Sequence, residues 1–293
     1  MSQPRAGLAF ARRLLFRAPH GSLAGSFAPH AGKAPSIVFW AWERPEDFRF
    51  LAADEATVAF LAKTIYLQPA APSLSSAPAF FVRPRLQPLR VTPGVPLIAV
   101  VRIETATPPR LSDFASPPTA PALYAIAYSP QQREALASEI AALKSIPGIS
   151  AIQIDFDAPT SAHPFYAALL QDVRRKLPRS LTLSITALAS WCIGDHWLAQ
   201  LPPGTIDEAV PMLFRMGPAA GDVVKFLHSG SEFPVAPCQS SLGLSTDERI
   251  SGAILSDKFA GLASSFRGKK MYVFSARSQT TATAQAVLEE WRP

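Results

Sequence analysis

From residue 36 onward the chain repeats one arrangement: a short apolar run, a polar or helical stretch, then another apolar run. Apolar runs of this length read as strands buried on both faces, and their alternation with helical segments predicts a parallel sheet built from βαβ units. The runs fall at residues 36–42, 64–68, 97–104, 149–157, 180–188, 207–214, 235–241 and 269–275. Eight such strands are what an α/β chain needs to close a (β/α)8 TIM-type barrel, in roughly 250 residues. A doubly wound open sheet is the alternative. The chain has 293 residues, 48% of them hydrophobic, which is enough for one such core. We expect a single barrel domain over residues 36–293.

The connections carry their own signals. Asp54 heads a short helix expected over 54–63. Ser129, Pro130 and Gln132 combine a cap, a first-turn proline and a capping-box glutamine, and Leu136, Ile140 and Leu143 share one face of the helix that follows. A helix over 163–177 ends in Arg174, Arg175 and Lys176, where cations complement the helix dipole. Shorter helices are expected over 195–201 and near 222–227, and Ser245-Thr-Asp-Glu248 is a capping box opening another. The SLGLS stretch before it reads as a helix start or, alternatively, a phosphate-binding loop. Many of the 29 prolines fall in two insertions, after strand two (69–96) and after strand three. FFVRPRLQPLRV in the first reads as an inserted hairpin or an extended excursion. The second, with Phe114, Tyr124 and Tyr128, is long enough for a functional loop.

Charge and cysteine usage exclude some classes. The net charge is +6, but Arg5, Arg12, Arg13, Arg17 and Lys33 all lie in an acid-free stretch, so the remainder is close to neutral. No basic stripe is interleaved with aromatics, which argues against nucleic acid as a partner. Residues 1–35 read as a disordered leader or a degenerate export signal, Arg12-Arg13 being followed by only a weakly apolar stretch. No apolar run is long enough for a transmembrane helix. Cys192 and Cys238 form neither a CxxC pair nor a metal set; two unpaired thiols is the first reading, and a disulfide, which needs an oxidising compartment, the second.

Active sites in barrels sit at the C-terminal ends of the strands. There the chain carries Glu43, Glu104, Asp155 and Asp157, with Arg215 and Arg277 at two further strand ends. Alternation along strand four puts Gln153, Asp155 and Asp157 on one face and Ile152, Ile154 and Phe156 on the other. The two aspartates, about 7 Å apart at Cα, would then share a small volume at the mouth, where mutual repulsion raises one pKa and keeps a general acid protonated. The alternative is that arginine or backbone donors hold both simply to close the barrel top. Arg215 is the expected counter-ion of the cluster. Glu104 reads as a second catalytic carboxylate, or as half of a pair with Arg102 or Arg215. Trp40 and Trp42 beside Glu43 read as a sugar-stacking platform or as packing. Trp191 reads as a subsite aromatic or a lid. His163 and His196 read as capping or surface residues.

The runs AWERPED, RPRLQPLRV, QIDFDA, SITALASWC and PMLFRMG resemble an uncharacterised bacterial family known only as a domain of unknown function. That resemblance implies a barrel related to glycoside hydrolases and slightly favours a periplasmic or exported protein. More distantly, SAIQIDFDAP resembles DGxDxDWEYP, the strand-four signature of family-eighteen chitinase-like barrels. It implies Asp155 in the place of the assisting aspartate and Asp157 in that of the acid glutamate. Phe156 matches the tryptophan and Pro159 the proline, and MLFR at 212–215 resembles that family's MxYD. Here Gln153 stands for an aspartate, Phe214 for a tyrosine and Arg215 for an aspartate. The resemblance therefore bears on where the site is, not on the substrate.

Together these readings give a glycoside hydrolase-like barrel acting on a bacterial poly- or oligosaccharide without a cofactor. Asp157 is the expected general acid, Asp155 its orienting or charge-stabilising partner, and Glu43 or Glu104 the base or nucleophile. Trp40, Trp42, Gln153, Trp191, Met212, Arg215 and Tyr128 are the expected sugar contacts. A non-catalytic carbohydrate-binding or assembly protein is the main alternative. A hydrolase holding a cation through Asp155, Asp157 and Glu43 is the third.

Overall fold

The computed structural model describes residues 37–69, 79–105, 126, 128–248 and 268–290, and residues 34–293 form one unit. The expected leader, Phe114 and Tyr124 of the second insertion, and the helix expected to open at the Ser245–Glu248 capping box lie outside the described residues.

In chain order the first strands are β1 (Ile37–Ala41), β2 (Glu46–Phe48), β3 (Thr57–Leu67), β4 (Phe80–Pro84), β5 (Leu89–Val91) and β6 (Leu97–Thr105). They are followed by β7 (Ile149–Asp155), β8 (Thr182–Leu188), β9 (Glu208–Met212), β10 (Ser241–Ser245) and β11 (Lys270–Phe274). Among the described residues eight of these pair in parallel in the order β1, β11, β10, β9, β8, β7, β6, β3, and β1 pairs back to β3. The ring is closed, so the structure is the barrel and not the open sheet. Helices α1 (Pro130–Ala141), α2 (His163–Lys176), α3 (Ala189–Ile193), α4 (His196–Ala199), α5 (Ala220–His228) and α6 (Thr281–Glu290) lie along the chain between and after the later strands.

Parity sorts the side chains. Val38, Trp40, Ala59, Leu61, Ile98, Val100, Ala151, Val210, Tyr272 and Phe274 form the cluster inside the barrel. The alternate residues, Ile152, Ile154, Leu183, Ile185 and Val273 among them, belong to the outer core with Leu136, Ile140, Leu169 and Val173 of α1 and α2. Each such side chain contributes about 1.5–3 kcal/mol on burial. Ser129 caps α1 as expected, its Oγ accepting from Gln132 N.

Three elements differ from the sequence reading. No helix occupies 54–63: Thr57–Leu67 is one strand of 11 residues. Val58, Phe60, Thr64, Ile65 and Tyr66 suit a pleated surface, and pairing with β1 and β6 on either side outweighs the Asp54 cap. The first two connections are thus built from strands. β2 pairs with β5, while β4 pairs antiparallel with the upper half of β3, where β1 has already ended. FFVRPRLQPLRV supplies β4 and β5.

The seventh barrel strand is Ser241–Ser245, not 235–241, where Pro237 opens a single 3-10 turn. SLGLS is therefore neither a helix start nor a phosphate loop. Its glycine makes room: a Cβ on Gly243 would lie 3.1 Å from the Phe274 ring and 3.4 Å from the backbone of β9. Finally, Cys192 and Cys238 are joined by a disulfide, correcting the reading as two unpaired thiols. The bond ties α3 to the turn before β10.

Candidate functional site

The inward face of β7 presents Ala151, Gln153 and Asp155 in sequence, because Ile152 and Ile154 are drawn into the outer core. Gln153 is sealed within the barrel, where its Nε2 donates to Ser184 Oγ at 2.9 Å. Two residues on, Asp155 reaches the floor of an open cavity of about 380 Å³ at the C-terminal end of the barrel. Asp157, just past the strand, lines the same cavity. Other walls come from Trp42, Arg102, Met212, Arg215 and Asp247. A second cavity of about 300 Å³ shares Arg102, Asp155 and Asp157 with the first and adds Glu104.

Asp155 is 9% exposed and receives Thr186 Oγ1 at 2.7 Å. Its other oxygen lies 4.0 Å from Arg102 Nε, whose closer partner is Glu104 at 2.8 Å. Burial dominates: it lifts the Asp155 pKa from 3.8 to about 6. The Thr186 hydroxyl and Arg102 pull down, and the charges of Asp157 and Glu104 push up. Asp157 is solvent-exposed at the mouth, yet partial desolvation raises its carboxyl as well, with Arg102 opposing. The site thus holds one sheltered acid and one accessible acid, both biased toward the protonated form.

The remaining expected site residues divide. Glu104, Trp42, Met212 and Arg215 line the cavities. Arg102 lies over the Trp42 ring, 5.5 Å from its centroid. Arg215 is exposed, in a left-handed backbone conformation (φ 50), with its N–H donated to both Glu248 oxygens. Arg102 is the cation beside the acids, the place expected for Arg215.

Glu43 lines neither cavity. It pairs with Arg83 of β4 at 2.5 Å and accepts Leu86 N–H, because the β4 excursion brings an arginine to the end of β1. Trp40 is fully buried inside the barrel against Phe274, and Trp191 packs with His163, Tyr166 and Trp197 in the outer layer. Tyr128 stacks on Phe165 and the outer core. None of these three lines the cavity.

Several lining residues carried no sequence signal. Arg44 spans from the end of β1 to the carbonyls of Ser275, Ala276 and Arg277, a contact between chain ends. Asp247 enters by following β10, and its carboxylate accepts Ala276 N–H. Thr186 was legible, since the alternation that turns Asp155 inward also turns Ser184 and Thr186 inward on β8. Among the described residues no group of three or more His, Cys, Asp or Glu is arranged to hold a metal ion, and no helix is long and apolar enough to cross a membrane.

The family model for a domain of unknown function (DUF3142) matches residues 127–213, a segment that includes β7, α2 and β8. Among solved structures, the chain is similar to a chitinase from Rhizomucor miehei at 12% identity and a TM-score of 0.47, covering 87% of this chain and 99% of that one. It is also similar to the chitinase domain of the spore coat protein CotE from Clostridium difficile at 13% identity and a TM-score of 0.37, covering 87% and 68%. No curated protein matches. The barrel itself rests on the strand pairings above.

Proposed function

We propose that this protein hydrolyses a glycosidic bond in a poly- or oligosaccharide held across the barrel mouth. The observation that carries the reading is the pair Asp155 and Asp157 opening into one cavity, with Asp155 lifted to about 6 by burial. A carboxyl group that keeps its proton near neutrality can donate it to a leaving oxygen. Asp157, itself raised by partial desolvation and facing solvent, is the proton donor; Asp155 orients it and, in its ionised form, balances the charge of the oxocarbenium-like state. Glu104 is the second carboxylate, since it lines a cavity with Asp155 and Asp157 and Glu43 does not. Trp42, Met212, Phe214 and Phe274 offer apolar surface for sugar faces beside these polar groups. The Cys192–Cys238 bond fits an oxidising compartment.

The test is a glycan panel, chitin among them, with wild type and Asp157→Asn. An enzyme cuts one member, and the variant binds it without cutting. A second reading, a carbohydrate-binding barrel without chemistry, draws on the fact that Glu104 is already engaged by Arg102. Wild type and variant binding equally, with nothing cut, would establish it.

A further inference from the structure

The upper half of β3 is turned by a bulge. Pairing with β6 runs Leu61↔Val100 and then Lys63↔Val101, so one residue is passed over. A bulge reverses which residues face which side, and bulges beside active sites commonly re-aim a side chain. Below it Ala59 and Leu61 face the interior; above it Ile65 and Leu67 join the outer core. Thr64 and Tyr66 are thereby turned to the face that carries Arg102, Glu104 and Asp155.

Register then fixes a row. Tyr66 is level with Glu104 on β6 and with Phe81 on β4, and one step lower Thr64 is level with Arg102 and Arg83. Arg102 is in turn level with Asp155 on β7. Tyr66 and Phe81 are stacked, their centroids 6.2 Å apart and their planes at 26°. Tyr66 is half-buried, and Phe81 is 54% exposed, unusual for phenylalanine. At about 4.8 Å per strand and about 6.6 Å for the two-residue step along it, Tyr66 and Phe81 stand about 12–16 Å from Asp155 along one continuous face. An oligosaccharide spans that distance; a single sugar does not.

We propose that Tyr66 and Phe81 form a remote sugar-stacking subsite that holds an oligosaccharide chain while its reacting residue lies at Asp155 and Asp157. Aromatic rings take the apolar C–H face of a pyranose, and Glu104 beside Tyr66 accepts hydrogen bonds from its hydroxyls. The assignment rests on the glycan-hydrolase reading and adds the preference it confers, for long chains over short.

The experiment compares the hexasaccharides and disaccharides of chitin and of cellulose, by calorimetric affinity and by bond cleavage. Wild type is expected to favour a hexasaccharide, and Phe81→Ala or Tyr66→Ala to cut that preference about tenfold, the loss of one aromatic contact of about 1.4 kcal/mol. Leu86→Ala, at a residue 72% exposed but off the row, keeps the wild-type preference. Variants retaining the full preference, or a wild type that binds both lengths equally, overturn the subsite while any cleavage leaves the acid pair standing. A preference that depends on Phe81 with no bond cut upholds the subsite and sinks the hydrolase. No binding of either hexasaccharide overturns both.

Discussion

The barrel interior holds two carboxylates at different heights, and they are supplied very differently. Near the base, Glu208 of β9 is 4% exposed and receives Tyr272 OH at 2.6 Å, Ser184 Oγ at 3.0 Å and Lys270 Nζ at 3.0 Å. At the mouth, Asp155 has one neutral donor, Thr186, and a cation only at 4.0 Å. A buried carboxylate with three donors, one of them cationic, is a closed structural unit. A buried carboxylate with one donor is undersupplied, and its proton affinity rises instead. The difference separates an acid held by a network at the base from an acid left with one donor at the open mouth.

The contrast can be broken in four ways. Asp157→Asn is expected to lower hydrolysis about 10²–10⁴-fold, the usual worth of a general acid, with little change in melting temperature; an active variant would end the proposed role. Glu208→Ala strands Lys270, Tyr272 and Ser184 and should cost about 3–5 kcal/mol in denaturant unfolding, where a loss under about 1 kcal/mol would mean the base network is dispensable.

Asp155 gives a pH signature of its own. Its folded pKa, about 6, lies above the 3.8 of an ordinary aspartate, so the folded state binds the proton more tightly. The stabilisation is fully present below pH 3.8 and is lost as pH rises through about 6. About two pKa units correspond to about 3 kcal/mol. Wild type should show this decline between acid and neutral pH, and Asp155→Asn should flatten it in chemical denaturation. The smallest effect is that of Thr186→Val, which deletes the one donor that lowers Asp155. A carboxyl titration should move up by no more than about one unit, for a bond worth about 1 kcal/mol.

How much of this was legible depended on whether the information was local. The inward parity of Gln153, Asp155 and Asp157 follows from alternation alone, and strands β6 to β9 were found nearly at their observed ends. There the apolar runs are continuous, and the segments between them carry helical periodicity or turn residues. The first third resisted the same reading. Asp54–Lys63 carries an acidic cap and alanines that locally favour a helix, and only pairing with β1 and β6 makes Thr57–Lys63 a strand. Glu43 looked like a site residue because the β4 arginine that neutralises it lies 40 positions on in sequence. Trp40 and Trp42 are neighbours in sequence by two, yet one is sealed in the barrel and the other lines the mouth. Height along the strand decides that, and composition does not carry it. Ser241–Ser245 was misplaced because SLGLS was read as a helix start beside the Ser245–Glu248 capping box, while Gly243 admits the Phe274 ring.

The most direct test is a carboxyl-carbon NMR titration of the aspartates, with Asp155 assigned through Asp155→Asn. The undersupplied acid at the barrel mouth should titrate near 6. An ordinary value at or below about 4 would mean that water or an unseen donor satisfies it, and the distinction between mouth and base would collapse.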